Sequence, residues 1–203
     1  MLKIATAVLA AALMCTALCS CHKEKINTIE PGTKENKVVA KETDAILAVI
    51  DETWSIRFLG TSDDPLYPNA GIAHITGNGD YTVSVDASGS GVSPKGLNIM
   101  YVKVFDGNNH YPDMSIDVRS VRVDGKEVEL TAKSYTSSED KREMRSNIYN
   151  TYVEKLPEDA HCESGAVTDG SGYSACIIDP APFKDGWTKI EVDFTVTGIS
   201  QNG

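Results

Sequence analysis

Apolar and polar residues alternate with a period of two along most of the chain after residue 43, which is the pattern of half-buried β-strands. In the last such run, Ile190, Val192, Phe194 and Val196 share one face. The ranges that follow the pattern are 44–50, 53–60, 71–76, 80–86, 97–105, 115–124, 127–132, 144–153, 175–178 and 188–198. We therefore predict about ten short strands. A short helix is the alternative for 43–51, where Thr43 could act as its cap.

Two turn sequences mark β-hairpins. Asn78-Gly79 and Asp124-Gly125 each lie between two of the alternating runs. Both dipeptides favour the tight turns that match the twist of antiparallel strands. Short strands joined in this way predict an all-β fold, an antiparallel β-sandwich. The number of strands and the long loops favour a jelly roll; an immunoglobulin-like sandwich is the alternative, although its Cys…Trp…Cys spacing is missing.

The first 20 residues have the features of a secretory signal peptide. Lys3 is followed by an apolar run over 4–18, which is too short for a membrane-spanning helix. The sequence Leu18-Cys19-Ser20-Cys21 resembles the bacterial lipobox, and this resemblance implies that Cys21 carries the lipid. We therefore expect an extracytoplasmic protein anchored to the cell membrane by lipid. Secretion without a lipid is the alternative.

Composition separates the rest of the chain into a tether and a domain. Residues 21–43 are rich in Lys, Glu, Thr and Asn, lack aromatic residues, and are predicted to be a flexible tether. Residues 44–203 are enough for one β-sandwich domain with its own core. The chain has 19 Lys and Arg against 29 Asp and Glu, a formal net charge of −10. This acidity argues against nucleic acid as a partner, and we expect a soluble monomer apart from the anchor.

Two cysteines, Cys162 and Cys176, lie in the predicted domain. In an exported protein an even pair of this kind indicates a disulfide, which would close a surface loop of roughly 15 residues. Two free thiols are the alternative. Their spacing matches neither a zinc site nor a redox motif.

The run 144–153 offers the best candidate ligand site. Strict alternation places Arg145, Asn147 and Tyr149 in one row on the same strand face. A guanidinium, an amide and a phenol could hydrogen-bond sugar hydroxyls, and the ring could stack on a sugar face. The alternative is an ordinary half-buried strand whose outer face is merely polar.

Further residues could extend this site. Tyr101 and Lys103 share a face on the strand predicted at 97–105, and Arg57 could lie on the same sheet face. Tyr111 could lie at a loop edge, and Trp187 could be a loop ring that stacks on sugar. Trp54 shares its face with apolar residues of 53–60, so we expect it in the core.

Clustered oxygen donors suggest a possible Ca²⁺ site between loops. The candidate ligands are Asp63, Asp64, Asp106, Asn108 and Asp113. Their spacing does not match the known calcium-loop signature. The sequence also lacks the motifs of serine hydrolases, zinc proteases and phosphate-binding loops, so it gives no positive sign of catalysis.

Three segments together resemble one family of modules. GNGDYTVSVD, PKGLNIMYVKVFDG and SVRVDGKEVELTAKSYTSSEDKREMRSNIYNTYV are similar to jelly-roll carbohydrate-binding modules found in exported proteins and lipoproteins of gut and rumen Gram-positive bacteria. The resemblance spans most of 44–198. It implies a non-catalytic domain that binds a polysaccharide or oligosaccharide and holds it near the cell. The alternatives are a cell-surface module that binds another protein and, less favoured, a glycoside hydrolase.

Overall fold

The computed structural model describes residues 27–28, 40–61, 63–64, 69–139 and 141–200. The predicted signal peptide, Cys21 and most of the predicted tether lie outside the described residues. Within that tether, Asn27–Thr28 form a strand that pairs with 71–72. None of the helices in the described part is long and apolar enough to cross a bilayer.

Thirteen strands, a one-turn α-helix and a 3₁₀ turn are described. The strands are β1 (Asn27–Thr28), β2 (Asp44–Ile50), β3 (Arg57–Phe58), β4 (Asn69–His74), β5 (Gly79–Asp86), β6 (Ile99–Val104), β7 (Ser115–Val123), β8 (Lys126–Val128), β9 (Thr136–Glu139), β10 (Glu143–Asn150), β11 (His161–Cys162), β12 (Gly165–Ala166) and β13 (Lys189–Thr197). The α-helix α1 is Gly107–His110, and the 3₁₀ turn is Ala181–Phe183.

The strands form a curled sheet in the order β12-β11-β9-β10-β6-β2-β4-β5-β13-β7-β8, with β1 beside β4 and β3 beside β2. Its neighbouring strands are antiparallel. We call β12 to β2, with β3, the first layer, and β5 to β8 the second layer. Strand β4 belongs to both, since Asn69–Gly71 pair with β5 while Ala73 and His74 pair with β2. The predicted all-β antiparallel sandwich is confirmed; the jelly-roll connectivity stays a prediction.

The two layers also meet through side chains at β7 and β9. Thr136 Oγ1 on β9 accepts the amide hydrogen of Ile116 on β7 at 2.6 Å and donates to the Ile116 carbonyl oxygen at 3.3 Å. Ser134 Oγ accepts the amide hydrogen of Val118 at 2.9 Å. Side-chain hydroxyls therefore satisfy an edge of β7 that β8 does not reach.

The main hydrophobic core lies between the layers. The predicted inward row of β13 is confirmed, because Ile190, Val192, Phe194 and Val196 are all fully buried. Tyr81 of β5 stacks on Phe194, with ring centroids 5.8 Å apart. The central strand β2 is buried on both faces from Ala45 to Ile50, so a further segment covers its outer face.

Several predicted elements differ from the structure, among them the strand predicted at 127–132, which is observed only at Lys126–Val128. Of 53–60 only Arg57–Phe58 are a strand, because Asp51 closes a turn by accepting hydrogen bonds from residues 53, 55 and 56. Residues 175–178 form isolated bridges, Cys176 with Tyr149 and Ile178 with Leu130. Conversely, 136–139, which lie outside all the predicted strands, form β9. The helix alternative for 43–51 is wrong.

Candidate functional site

A depression of about 520 Å³ lies on the outer surface of the first layer. Its volume falls within the range of small-molecule sites. Strands β6 and β10 form its floor, and segments 40–42 and 59–61 contribute its opposite side. The lining residues are Ala40, Lys41, Glu42, Leu59, Thr61, Tyr101, Lys103, Phe105, Asp106, Arg142, Glu143 and Arg145.

Strand register brings three of the predicted site residues together here. Arg145 of β10 lies opposite Lys103 of β6, and the next outward residue of β6 is Tyr101. The Arg145 guanidinium lies over the Tyr101 ring, 4.4 Å from its centroid. This is the geometry of a cation–π contact, and it orients the guanidinium along the floor. The register therefore places these three residues on one face of the sheet, and their role in ligand binding stays a prediction.

A single carboxylate links the two cations of the floor. Glu143 Oε1 lies 3.1 Å from Lys103 Nζ, and Glu143 Oε2 lies 3.5 Å from Arg145 Nη2. Lys103 is buried, and its ammonium lies 4.1 Å from the centroid of the Phe105 ring. Burial lowers the pKa of Lys103, and the charge and hydrogen bond of Glu143 act against that shift.

The segment 59–61 covers the outer face of β2 beside this floor. The carboxylate of Asp64 holds it, since Oδ2 accepts the amide hydrogens of Leu59 at 2.9 Å and Thr61 at 3.0 Å. Gly60 has φ +73° and lies against Ile46, so that a Cβ there would come within 2.6 Å of Ile46 Cδ1. A side chain at this position would therefore strain the backbone and force the buried Ile46 side chain to move.

Two predicted residues of the row do not reach the depression. Asn147 is buried and donates from Nδ2 to Tyr135 Oη at 3.1 Å, because a second hydrophobic cluster around Tyr135 covers this part of the face. The register shifts between Asn147 and Tyr149, which places Tyr149 opposite Met100 and against the main core. Of the predicted row of Arg145, Asn147 and Tyr149, the structure therefore brings only Arg145 to the depression, and a ligand-binding role for the three stays a prediction.

The remaining predicted ligand residues lie elsewhere. Trp187 is 4% exposed and donates from Nε1 to the Gly96 carbonyl oxygen at 3.1 Å, so it cannot stack on a sugar. The Tyr111 hydroxyl donates to the Ile75 carbonyl oxygen at 3.3 Å, and its ring packs on the core. Arg57 pairs with Ile50 in register and donates to the carbonyl oxygen of Asp63, just after the segment 59–61, at 2.7 Å.

The predicted metal ligands are not gathered in one place. Asp64 holds the segment 59–61, and Asn108 donates to the Lys141 carbonyl oxygen. Among the described residues, one group of three ligand side chains lies within 4.8 Å, namely Glu42, Asp106 and His110. His110 Nε2 is 3.3 Å from Glu42 and 3.7 Å from Asp106. One imidazole and two carboxylates suit a zinc-like ion better than Ca²⁺, which prefers oxygen ligands only.

The predicted disulfide is not formed, because Cys162 and Cys176 are both free thiols. Cys162 is on β11 and Cys176 bridges to Tyr149 of β10, with β9 between these strands. The Cys162 sulfur instead accepts a hydrogen bond from Tyr173 Oη at 3.3 Å and contacts Ser164 Oγ at 3.1 Å. These hydrogen bonds lower the pKa of the Cys162 thiol.

Sequence reasoning missed Arg142, Glu143 and the exposed Trp54. Arg142 directly precedes β10 and Glu143 begins it, in a charged stretch that shows no periodicity. Trp54 was expected in the core, yet its side chain is 58% exposed because the Asp51 turn breaks the alternation. This turn forms because the Asp51 carboxylate accepts these hydrogen bonds, and the alternation of apolar and polar residues gives no sign of such an acceptor.

No family model, curated protein or solved structure matches this chain. The resemblance to carbohydrate-binding modules therefore stays a prediction. The function has to be argued from the fold and from the chemistry of the depression.

Proposed function

We propose that this protein is a non-catalytic carbohydrate-binding lipoprotein that holds a polysaccharide or oligosaccharide near the cell membrane. The lipid at Cys21 would anchor it, and the depression over β6 and β10 would receive the glycan. The observation that carries the proposal is the chemistry of that depression. Four cationic side chains and three carboxylates line one concave surface of about 520 Å³.

This chemistry suits a hydroxyl-rich ligand. A sugar hydroxyl both donates and accepts, so it can bridge neighbouring cationic and carboxylate groups. Hydrogen bonds to charged groups are stronger than those between neutral groups. The lining has one more cation than carboxylates, in a protein of net charge −10, which also favours a glycan that carries uronic acid.

The test is affinity electrophoresis in native gels that contain plant or host polysaccharides, both neutral and acidic. The protein without residues 1–20 is used, since it retains every residue that the structure describes. Each gel is run with and without a chelator, which reports on the Glu42, Asp106 and His110 group. We expect one class of polysaccharide to retard the protein. If no polysaccharide retards it, the carbohydrate proposal is wrong, and a module that binds another protein takes its place.

Arg142→Ala locates the site. The Arg142 side chain is 71% exposed, and its ion pair among the described residues is with Asp106, so its removal should leave the fold intact. We expect about tenfold weaker retardation, because one charge-assisted contact to the glycan is lost. The matched control is Arg119→Ala, an arginine 62% exposed on the second layer and paired with Asp117. Equal retardation of Arg142→Ala and the wild type would exclude the depression as the binding site.

A further inference from the structure

Two large aromatic side chains project from the described surface. Trp54 is 58% exposed and Tyr152 is 67% exposed. Neither lines the depression. Other large apolar side chains of the described residues are buried or half-buried, so these two rings stand apart from the rest of the surface.

The chain holds Trp54 outward by a well-bonded turn. Asp51, which is fully buried, accepts hydrogen bonds from the hydroxyls of Thr53 and Ser55 and from the amides of Ile56 and Lys95. The backbone of Trp54 is left-handed, with φ 55°, and its amide donates to the Asp51 carbonyl oxygen at 3.1 Å. A left-handed backbone is unusual for a tryptophan, and this conformation persists only where the surrounding structure fixes it.

Tyr152 stands on a turn that is fixed in a similar way. Its amide donates to Asn150 Oδ1 at 3.2 Å, and the amide of Val153 donates to the Asn150 carbonyl oxygen at 3.3 Å. Asn150 is buried and donates in turn to Asn147 Oδ1 at 3.2 Å. A chain of hydrogen bonds therefore connects the base of this turn to the first layer.

Both rings leave the same end of the first layer. Strands β2 and β10 are both antiparallel to β6, so they run in the same direction, and Ile50 and Asn150 both lie opposite Ile99. Trp54 follows the end of β2 and Tyr152 follows the end of β10. The axes of these strands are two strand spacings apart, about 10 Å.

We propose that Trp54 and Tyr152 form a second, aromatic carbohydrate-binding site that stacks on the apolar faces of sugar rings in a polysaccharide. The inference rests on the proposed carbohydrate binding and adds the mode of recognition. Exposed polar residues flank each ring, Glu52 and Thr53 beside Trp54 and Thr151 beside Tyr152. Isolated rings among hydrogen-bonding groups fit an amphipathic sugar, whose apolar face stacks on a ring while its hydroxyls bond to the polar neighbours.

Tryptophan fluorescence tests this site directly. The chain has two tryptophans, and since Trp187 is 4% exposed, water and acrylamide reach only Trp54. The protein without residues 1–20 is titrated with whichever polysaccharide retards it in native gels. We expect the emission to shift to shorter wavelength and acrylamide quenching to fall, because stacking removes water from the indole. Trp54→Phe should abolish the spectral change and retain most of the binding.

Trp54→Ala and Tyr152→Ala complete the test. We expect each to weaken retardation about tenfold with unchanged thermal unfolding, since both side chains lie mainly in solvent. If both variants bind as the wild type does while Arg142→Ala binds less, this inference is wrong and the proposed depression stands. If the ring variants lose binding and Arg142→Ala does not, the rings are the site instead. If the wild type binds no polysaccharide, both proposals are wrong.

Discussion

At the scale of single residues, carboxylates organise the loops and outer faces of this sandwich. Burial raises the pKa of Asp51, but hydrogen bonds from Thr53, Ile56 and Lys95, with one from Ser55, outweigh it and lower the pKa overall. Asp193 lies on the outer face of β13. It accepts hydrogen bonds from both terminal guanidinium nitrogens of Arg122 and from the hydroxyls of residues 82 and 120. Each carboxylate therefore stabilises the fold most when it is ionised.

The pKa of Asp193 predicts how stability depends on pH. The hydrogen bond from Arg122 is the largest cause that lowers this pKa from 3.8 to about 2. A lowered pKa means that the unfolded chain binds the proton more tightly, so stability is full above about pH 4 and is lost as pH falls towards 2. The carboxylate is partly exposed, so we expect a loss of about 1 kcal/mol after solvent screening.

Urea unfolding of Asp193→Asn and the wild type between pH 2 and 6 measures this contribution. We expect the variant to lose less stability than the wild type as the pH falls, because its amide does not titrate. Asp117→Asn is the control, since Asp117 also pairs with an arginine, Arg119, but is exposed. An equal change in slope for both variants would contradict a special role for Asp193.

The two tryptophans show what alternation can and cannot predict for a residue. Trp54 follows the apolar parity of Ile56, yet the left-handed backbone at Trp54 interrupts that parity and turns the ring outward. Trp187 follows a turn sequence, yet it is buried because its indole nitrogen reaches the carbonyl oxygen of Gly96, 91 residues away. Neither a left-handed residue nor so distant an acceptor leaves a periodic signal.

At the scale of elements, a segment without regular structure covers the apolar outer face of a strand. The outer face of β2 is apolar, and the segment 59–61 covers it with Gly60 placed directly over Ile46. The same segment forms one side of the depression. Its close approach therefore links the packing of β2 to the shape of the candidate site.

Gly60→Ala tests this approach, with Gly125→Ala as its matched control. Both glycines have positive φ, +73° and +77°, so both variants carry the same backbone strain of about 1 kcal/mol. A Cβ at Gly125 meets nothing within 4 Å, whereas one at Gly60 meets Ile46. We expect Gly60→Ala to lower the free energy of unfolding by roughly 2 kcal/mol more than the control. Equal losses of unfolding free energy in the two variants, measured with urea, would contradict this prediction. They would show that the segment 59–61 accommodates the added Cβ at no cost.

The register of β10 shows why only part of the site was predictable. Alternation correctly placed Arg145 on the face of Tyr101 and Lys103, because a regular ladder preserves parity. The irregularity after Asn147 adds one residue on the β10 side and reverses the parity, so that Tyr149 faces inward. Bulges of this kind arise from the fit of neighbouring strands, so they cannot be predicted from the sequence of one strand alone.

At the scale of the whole molecule, closure between the layers depends on hydroxyl groups. The antiparallel sandwich was predictable because periodicity and turn residues are local properties. The contact of β9 with β7 was not, since it joins Thr136 to a strand 20 residues earlier through a side chain rather than through a ladder. It completes the backbone hydrogen bonding of β7 where β8 ends.

Thr136→Val removes this closure with little change in shape. The Thr136 side chain is fully buried, and its hydroxyl both accepts from and donates to the backbone of Ile116. We expect a loss of about 2 kcal/mol, because buried backbone groups lose their hydrogen bonds. Amide hydrogen exchange at Ile116 should also become faster. Thr195→Val, which removes an exposed hydroxyl bonded to Asp80, should cost less than about 0.5 kcal/mol.

The position of β13 has a consequence for the order in which the protein acquires its structure. This strand is the last described along the chain, yet it lies between β5 and β7 and pairs with both. Those two strands have no central partner until residues 189–197 are available. The second layer therefore cannot assemble until residues 189–197 have been synthesised. A nascent chain that ends before residue 189 would therefore leave the facing edges of β5 and β7 unpaired, open to pairing with another chain.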